Sequence, residues 1–181
     1  MEFKEKLLNA VPLKIFSYLC RVPHIPHYER EMARSVEVSV GATNQTLKLL
    51  LSMGVVTREK KGQLYLYRIM PDHPIVREFK KFENILDLNA LILRIREVSN
   101  KIVLYGSCAT GEDTVESDMD LFIISKEKGK ILREIRKETR EVKREIKSII
   151  VTVEEYLSMR NMKELILEEV DKGIILHEKK V

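Results

Sequence analysis

The sequence has no tryptophan, glutamine only at Gln45 and Gln63, and two cysteines, Cys20 and Cys108. Two thiols so far apart make neither a disulfide framework nor a zinc-ligand spacing, which suits a reducing compartment. His24, His27, His73 and His177 are scattered without ligand spacing, so none reads as a metal ligand. No apolar run approaches the roughly 20 residues needed to cross a bilayer, and the charged start Met1–Lys6 is no secretory signal. The expected location is the cytoplasm, with no membrane partner. Disorder is excluded for most of the chain by 44% hydrophobic residues, because disordered chains are poor in Leu, Ile and Val. Lysine and glutamate are abundant while glutamine is scarce, a bias typical of thermophile proteins, in which ion-pair networks gain value.

The net charge is only +4 over 181 residues, and its distribution says more than its sum. Residues 1–70 carry 11 Lys and Arg against 6 Asp and Glu, residues 101–125 carry 1 against 5, and the stretch from 126 carries 15 against 12. A basic start and an acidic middle thus divide the chain.

In the basic start, Val11, Ile15 and Leu19 recur at helical spacing, and the Val22-Pro23-His24-Ile25-Pro26 stretch ends that helix. A short helix is expected from about Tyr28 to Val36, a turn over Val38–Gly41, then a helix from Ala42 with Leu47, Leu50 and Leu51 on one face. Val55–Glu59 and Leu64–Ile69 read as a β-hairpin with a basic tip, Lys60-Lys61-Gly62-Gln63. This order resembles a winged helix-turn-helix module over roughly residues 5–70. The resemblance implies double-stranded DNA as partner and a role in transcription regulation. Thr43, Asn44, Gln45 and Lys48 would then meet the major groove, and Arg58, Lys60 and Lys61 the phosphates or an adjacent minor groove. Such modules are commonly dimeric, so a homodimer is expected.

Pro71-Asp72-His73-Pro74 breaks the chain, and Ile75, Phe79, Phe82 and Leu86 then repeat at helical spacing. A straight helix over 75–99 would be on the order of 37 Å long, with Asn84 or Asn89 as a candidate kink. Three parts follow: 1–70, a connecting helix at 71–87, and a second domain at 88–181.

The second domain holds the sharpest signal. Ile102-Val103-Leu104-Tyr105 reads as a strand running into Gly106-Ser107, and after ten intervening residues Asp118-Met119-Asp120 leads Leu121-Phe122-Ile123-Ile124. Glycine permits a tight turn at the strand end, and the backbone amides beyond it, with the Ser107 hydroxyl, favour a phosphate. Asp118 and Asp120, two apart on a strand, face the same side. Paired carboxylates beside a phosphate loop suit Mg2+ (or Mn2+), which takes oxygen ligands and shares them with substrate phosphates. The chemistry implied is phosphoryl or nucleotidyl transfer. The loop acids Glu112, Asp113 and Glu116 read as solvated, and the arginines and glutamates of a helix over about 129–146 as ordinary surface ion pairs.

Gly106-Ser107-Cys108-Ala109-Thr110-Gly111 with Ser117-Asp118-Met119-Asp120-Leu121 resembles the minimal nucleotidyltransferases of the DNA polymerase beta superfamily. That resemblance spans about residues 85–178 and implies an α/β (α+β) mixed-sheet fold. By the same likeness, Gly106 and Ser107 would contact a nucleoside triphosphate, and Asp118 and Asp120 would hold the metal and act in catalysis. The family's third carboxylate lies on the strand after the long helix, and here that strand, Lys147-Ser148-Ile149-Ile150-Val151-Thr152, has no acid. The expected function is Mg-dependent transfer of a nucleoside monophosphate to an acceptor hydroxyl by a DNA-binding protein. Some small relatives are antitoxins that modify a partner toxin, so a protein acceptor belongs to the expectation. The competing reading is a non-enzymatic regulator whose degenerate domain senses nucleotide or dimerises.

Overall fold

The structure is a computed structural model and describes residues 7–179. The chain divides into two compact units, with the boundary between Lys80 and Lys81. That boundary falls inside the expected connecting helix, whose two ends belong to different units.

In the N-terminal unit, α1 (Val11–Arg21) buries Ile15, Phe16, Leu19 and Cys20. A two-residue strand, β1 (His27–Tyr28), leads directly into α2 (Glu29–Ser35), whose first turn is closed by Glu31 accepting from the Tyr28 amide at 3.0 Å. The helix α3 (Val40–Ser52) begins two residues earlier than expected, because the Ser39 hydroxyl caps it by accepting from the Ala42 amide at 3.2 Å. Strands β2 (Val56–Lys61) and β3 (Leu64–Ile69) pair in register from Val56↔Ile69 to Lys61↔Leu64. The hairpin turn is therefore Gly62-Gln63 alone, with Gly62 at φ +64°, and Lys60 and Lys61 are ladder residues. Strand β1 adds to the far side of β3, so the sheet runs β1-β3-β2.

The helix α4 (Pro74–Ile95) is continuous through Asn84, Asp87 and Asn89 and spans about 33 Å. Its early residues Val76 and Phe79 belong to the N-terminal core, and Leu88, Leu91 and Ile95 to the C-terminal core.

The C-terminal unit is built on a four-stranded mixed sheet. Its strands are β4 (Lys101–Tyr105), β5 (Met119–Ile124), β6 (Ile146–Val151) and β7 (Ile174–Glu178), in the order β6-β5-β4-β7. Strand β4 is antiparallel to β5 and β7, while β5 and β6 are parallel. A parallel neighbour requires a long crossover, here α6 (Lys128–Val142). That helix ends earlier than the sequence suggests: Lys143 takes φ +53°, and Ile146 opens β6 instead of closing a helical stripe.

Alternation along the strands sorts the side chains onto two faces. Ile102, Leu104, Leu121 and Ile123 pack with Leu88, Leu91 and Ile95 of α4 and with Ile131 and Ile135 of α6. On this side Arg94 of α4 bridges Glu134 at 2.8 Å and the buried Glu138, so these helix acids bind another helix instead of pairing along their own. Val103, Tyr105, Phe122 and Ile124 face the other way. They are covered by α7 (Val153–Asn161), started by a Thr152–Glu155 capping box, and by α8 (Ile166–Asp171) with Leu167 and Val170. Two short helices thus cover this face of the sheet. Among the described residues no helix is long and apolar enough to cross a membrane.

The turn after α8 leaves no room for a side chain at Gly173. A Cβ on Gly173 would lie 2.5 Å from the Leu104 carbonyl oxygen and 2.7 Å from Val103 Cγ1. Gly173→Ala is expected to cost about 1–3 kcal/mol, seen as a lower urea midpoint at unchanged m-value.

Candidate active site

The chain reverses at Gly106 with φ +69° and ψ −156°, backbone that a side chain opposes, and continues into the single turn α5 (Ser107–Thr110). The turn closes at Gly111, φ +75°. Tyr105 pairs with Asp120 across the β4/β5 ladder, which brings the reversal against that carboxylate. A Cβ at position 106 would stand 3.0 Å from Asp120 Oδ2. Glycine is required here twice, by the backbone and by the acid beside it.

Asp120 shares the parity of Phe122 and Ile124, so it emerges at the margin of the face covered by α7 and α8. Asp118 lies just before the strand and keeps the same parity. The parallel ladder sets Asp120 opposite Lys147 of β6. Lys147 is therefore the basic residue on the strand where an acid was sought, and its ammonium is ion-paired with Asp118 Oδ2. Both partners keep contact with water, the Lys147 side chain at 57% and Asp118 at 28% exposure.

The charges at this margin act on one another. Partial burial pushes the Asp120 carboxyl above its ordinary range, the Asp118 charge pushes it further, and Lys147 partly opposes them. The hydrogen bond and charge of Asp118 raise the Lys147 ammonium above its usual value. Burial, then the charges of Asp120 and Glu169, raise the Tyr105 phenol. Glu169, exposed on α8, is thus the third acid whose field reaches this corner, and it comes from a helix instead of the strand.

A buried polar network holds the loop between the glycine reversal and Asp118. Arg144, just past α6, donates from Nη2 to Asp113 Oδ2 at 2.9 Å, from Nη1 to Asn84 Oδ1 at 2.9 Å and from Nε to the Ser117 carbonyl at 2.6 Å. Asn84 in turn donates to the Cys108 carbonyl at 3.1 Å and to Asp113 Oδ1 at 3.2 Å. The Cys108 thiol donates to the Asp118 carbonyl at 3.1 Å, and burial pushes it up to about 12. Asp113 is thus a buried ion-pair partner, contrary to its reading as a solvated loop acid, and Arg144 is no surface charge. Asn84 is a polar anchor in an unbroken helix, not a kink.

Of the residues expected to act, Gly106, Ser107, Asp118 and Asp120 come together at one corner of the sheet. Two half-exposed carboxylates form a hard oxygen donor set that fits a single Mg2+ or Mn2+ with its remaining positions left to water and phosphate. Among the described residues no cluster of three or more His, Cys, Asp or Glu converges as a metal cage.

The expected DNA-contacting residues scatter more. Thr43 is fully buried and its hydroxyl donates to the Ser39 carbonyl at 3.0 Å, so it faces the core and drops out as a base contact. Asn44 is half-buried and donates to Glu29 Oε2 at 2.9 Å. Gln45 and Lys48 are exposed on α3, as are Arg58, Lys60 and Lys61 on β2, where the Arg58 guanidinium lies 4.7 Å over the Tyr65 ring. Sequence reasoning missed Lys147 as the partner of Asp118, Glu169, and the Arg144 network. For Lys147 a signal existed in its place on the strand after the long helix, but only the register gives its neighbour.

Residues 88–176 match the family model of the nucleotidyltransferase domain. No curated protein matches the chain. The matched residues lie within the C-terminal unit and include both Gly106-Ser107 and Asp118-Met119-Asp120.

Removing the guanidinium that neutralises Asp113 should be costly. Arg144→Met is expected to destabilise the C-terminal unit by about 3 kcal/mol, the cost of stranding a buried charge. The double variant Arg144→Met, Asp113→Leu should recover most of that loss in urea unfolding. Equal stability of Arg144→Met and the parent chain would contradict the network's role.

Proposed function

We propose that the C-terminal domain transfers a nucleoside monophosphate from a nucleoside triphosphate to an acceptor hydroxyl, and that the N-terminal unit is a DNA-binding winged helix. The observation carrying the first half is the ladder register that sets Asp120, with Asp118 of the same parity, against the glycine reversal at Gly106. Gly106 gives the triphosphate close access to the backbone, and the Ser107 hydroxyl donates to a phosphate oxygen. Asp118 and Asp120 would hold Mg2+, which would neutralise charge on the triphosphate whose α-phosphorus is attacked. The acceptor oxygen bonds to the α-phosphorus while its proton passes to water, the bond to the bridging oxygen breaks, and pyrophosphate leaves with the electron pair of that bond. Arg144, Asn84 and Asp113 hold the Asp118 loop still while this happens. A protein side chain, including one on a partner toxin, is an acceptor compatible with so open a margin.

Lys147 favours a second reading, in which the domain binds nucleotide without turning it over and serves a transcription regulator as a sensor or dimerisation platform. An ammonium where a third carboxylate would help activate the acceptor hydroxyl forgoes about 10²–10⁴ in rate. Labelled-nucleotide transfer to self, protein or nucleic acid separates the two readings. The parent chain with Mg2+ or Mn2+ should label an acceptor, and Asp118→Asn and Asp120→Asn should each lose about 100-fold or more. Equal inertness of all three with every nucleotide would leave the second reading.

For the N-terminal unit, the support is the order α1-β1-α2-α3-β2-β3 about the sheet β1-β3-β2, with Gln45, Lys48, Arg58, Lys60 and Lys61 exposed. A homodimer reading paired half-sites fits such a module. Lys60→Glu with Lys61→Glu is expected to weaken duplex DNA binding about tenfold or more at low salt, and to flatten the dependence of log K on log salt by about 0.9 for each phosphate no longer neutralised. Unchanged affinity and slope would count against a role for β2 in holding the duplex.

A further inference from the structure

Within that nucleotidyltransferase reading, Lys147 has a role of its own. Its strand is parallel to β5, its register partner is Asp120, and its ammonium bonds Asp118. One side chain thus pairs its single positive charge with Asp118 while that charge also reaches Asp120. The surrounding groups sharpen the point. Glu169 adds negative charge from α8 and Glu145 from the turn before β6, so Lys147 stands in a strongly acidic corner.

We propose that Lys147 is a tethered counter-ion occupying the place of a divalent metal ion at Asp118, so that a metal enters only by displacing it. The domain then holds at most one divalent ion, and holds it weakly until a triphosphate supplies further oxygens. The displaced ammonium stays within reach of the same corner on its flexible stem, free to pair with the arriving phosphates. Because the pair is partly exposed, water screens it enough for a divalent ion to compete. Strand β6 offers no further carboxylate from which a second metal position could be built.

The test is Mn2+ titration of the full-length chain without nucleotide, followed by electron paramagnetic resonance of the free ion at fixed ionic strength. Circular dichroism checks that each variant keeps its fold, which an exposed side chain should allow. Lys147→Met is expected to bind Mn2+ about tenfold more tightly than the parent chain, since the competitor is gone. Lys147→Arg should bind as weakly as the parent. Lys147→Asp should bind more tightly still and take up a second ion. Asp118→Asn added to Lys147→Met should abolish the gain. Affinities of parent and Lys147→Met within about twofold of each other would overturn the counter-ion proposal while leaving the metal-dependent transferase reading standing. Absence of Mn2+ binding in every variant, Lys147→Asp included, would overturn both.

Discussion

The nearness of the Gly106 backbone to the Asp120 carboxylate is the constraint on which the C-terminal domain depends. An antiparallel ladder fixes Tyr105 opposite Asp120, so the next residue along must pass the acid with no side chain of its own. Only glycine tolerates both the positive φ and the 3.0 Å approach. The contact leaves an aspartate partly desolvated beside a second aspartate, an arrangement unfavourable for folding alone. Carboxylates held in such a place are ready to receive a cation, and the structure answers that need from within by Lys147.

Behind the exposed corner lies a different kind of electrostatics. Arg144 and Asp113 are largely buried and share their hydrogen bonds with Asn84, Cys108 and the Ser117 carbonyl. A buried pair seldom adds net stability over apolar packing, but leaving it half satisfied is expensive. Its effect is therefore geometric: the strand ends and the intervening loop are tied to α4 and to the residue after α6. Exposed, displaceable charge at the front and satisfied, fixed charge at the back are a division of labour suited to a site that must exchange ligands without moving its ligating groups.

Much of this is legible along the chain. The Gly-Ser and Asp-x-Asp pairs stand out because strand alternation and glycine's conformational range are local properties. What escapes is set by register or by distant partners. The Asp113–Arg144 pair spans 31 positions, and nothing near Asp113 marks it as buried. Lys147 faces Asp120 only because two parallel strands align as they do. Thr43 misleads through its polarity: it precedes Leu47 by four residues and Leu50 by seven, which puts it on the buried stripe of α3, where its hydroxyl is satisfied by the Ser39 carbonyl. A two-residue strand such as β1 is too short to carry a period at all. Asn84 looks like a breaker because asparagine is a weak helix former, yet its amide is spent across the fold on Cys108 and Asp113.

The state of Cys108 follows from the same network. An arginine beside a thiol ordinarily favours the thiolate, but here burial outweighs the guanidinium and keeps sulfur protonated as a donor to the Asp118 carbonyl. Cys20 is sealed in the other core. With both thiols buried, thiol-alkylating agents find little to attack. For Cys108, inertness toward alkylation is thus a by-product of how the aspartate loop is anchored.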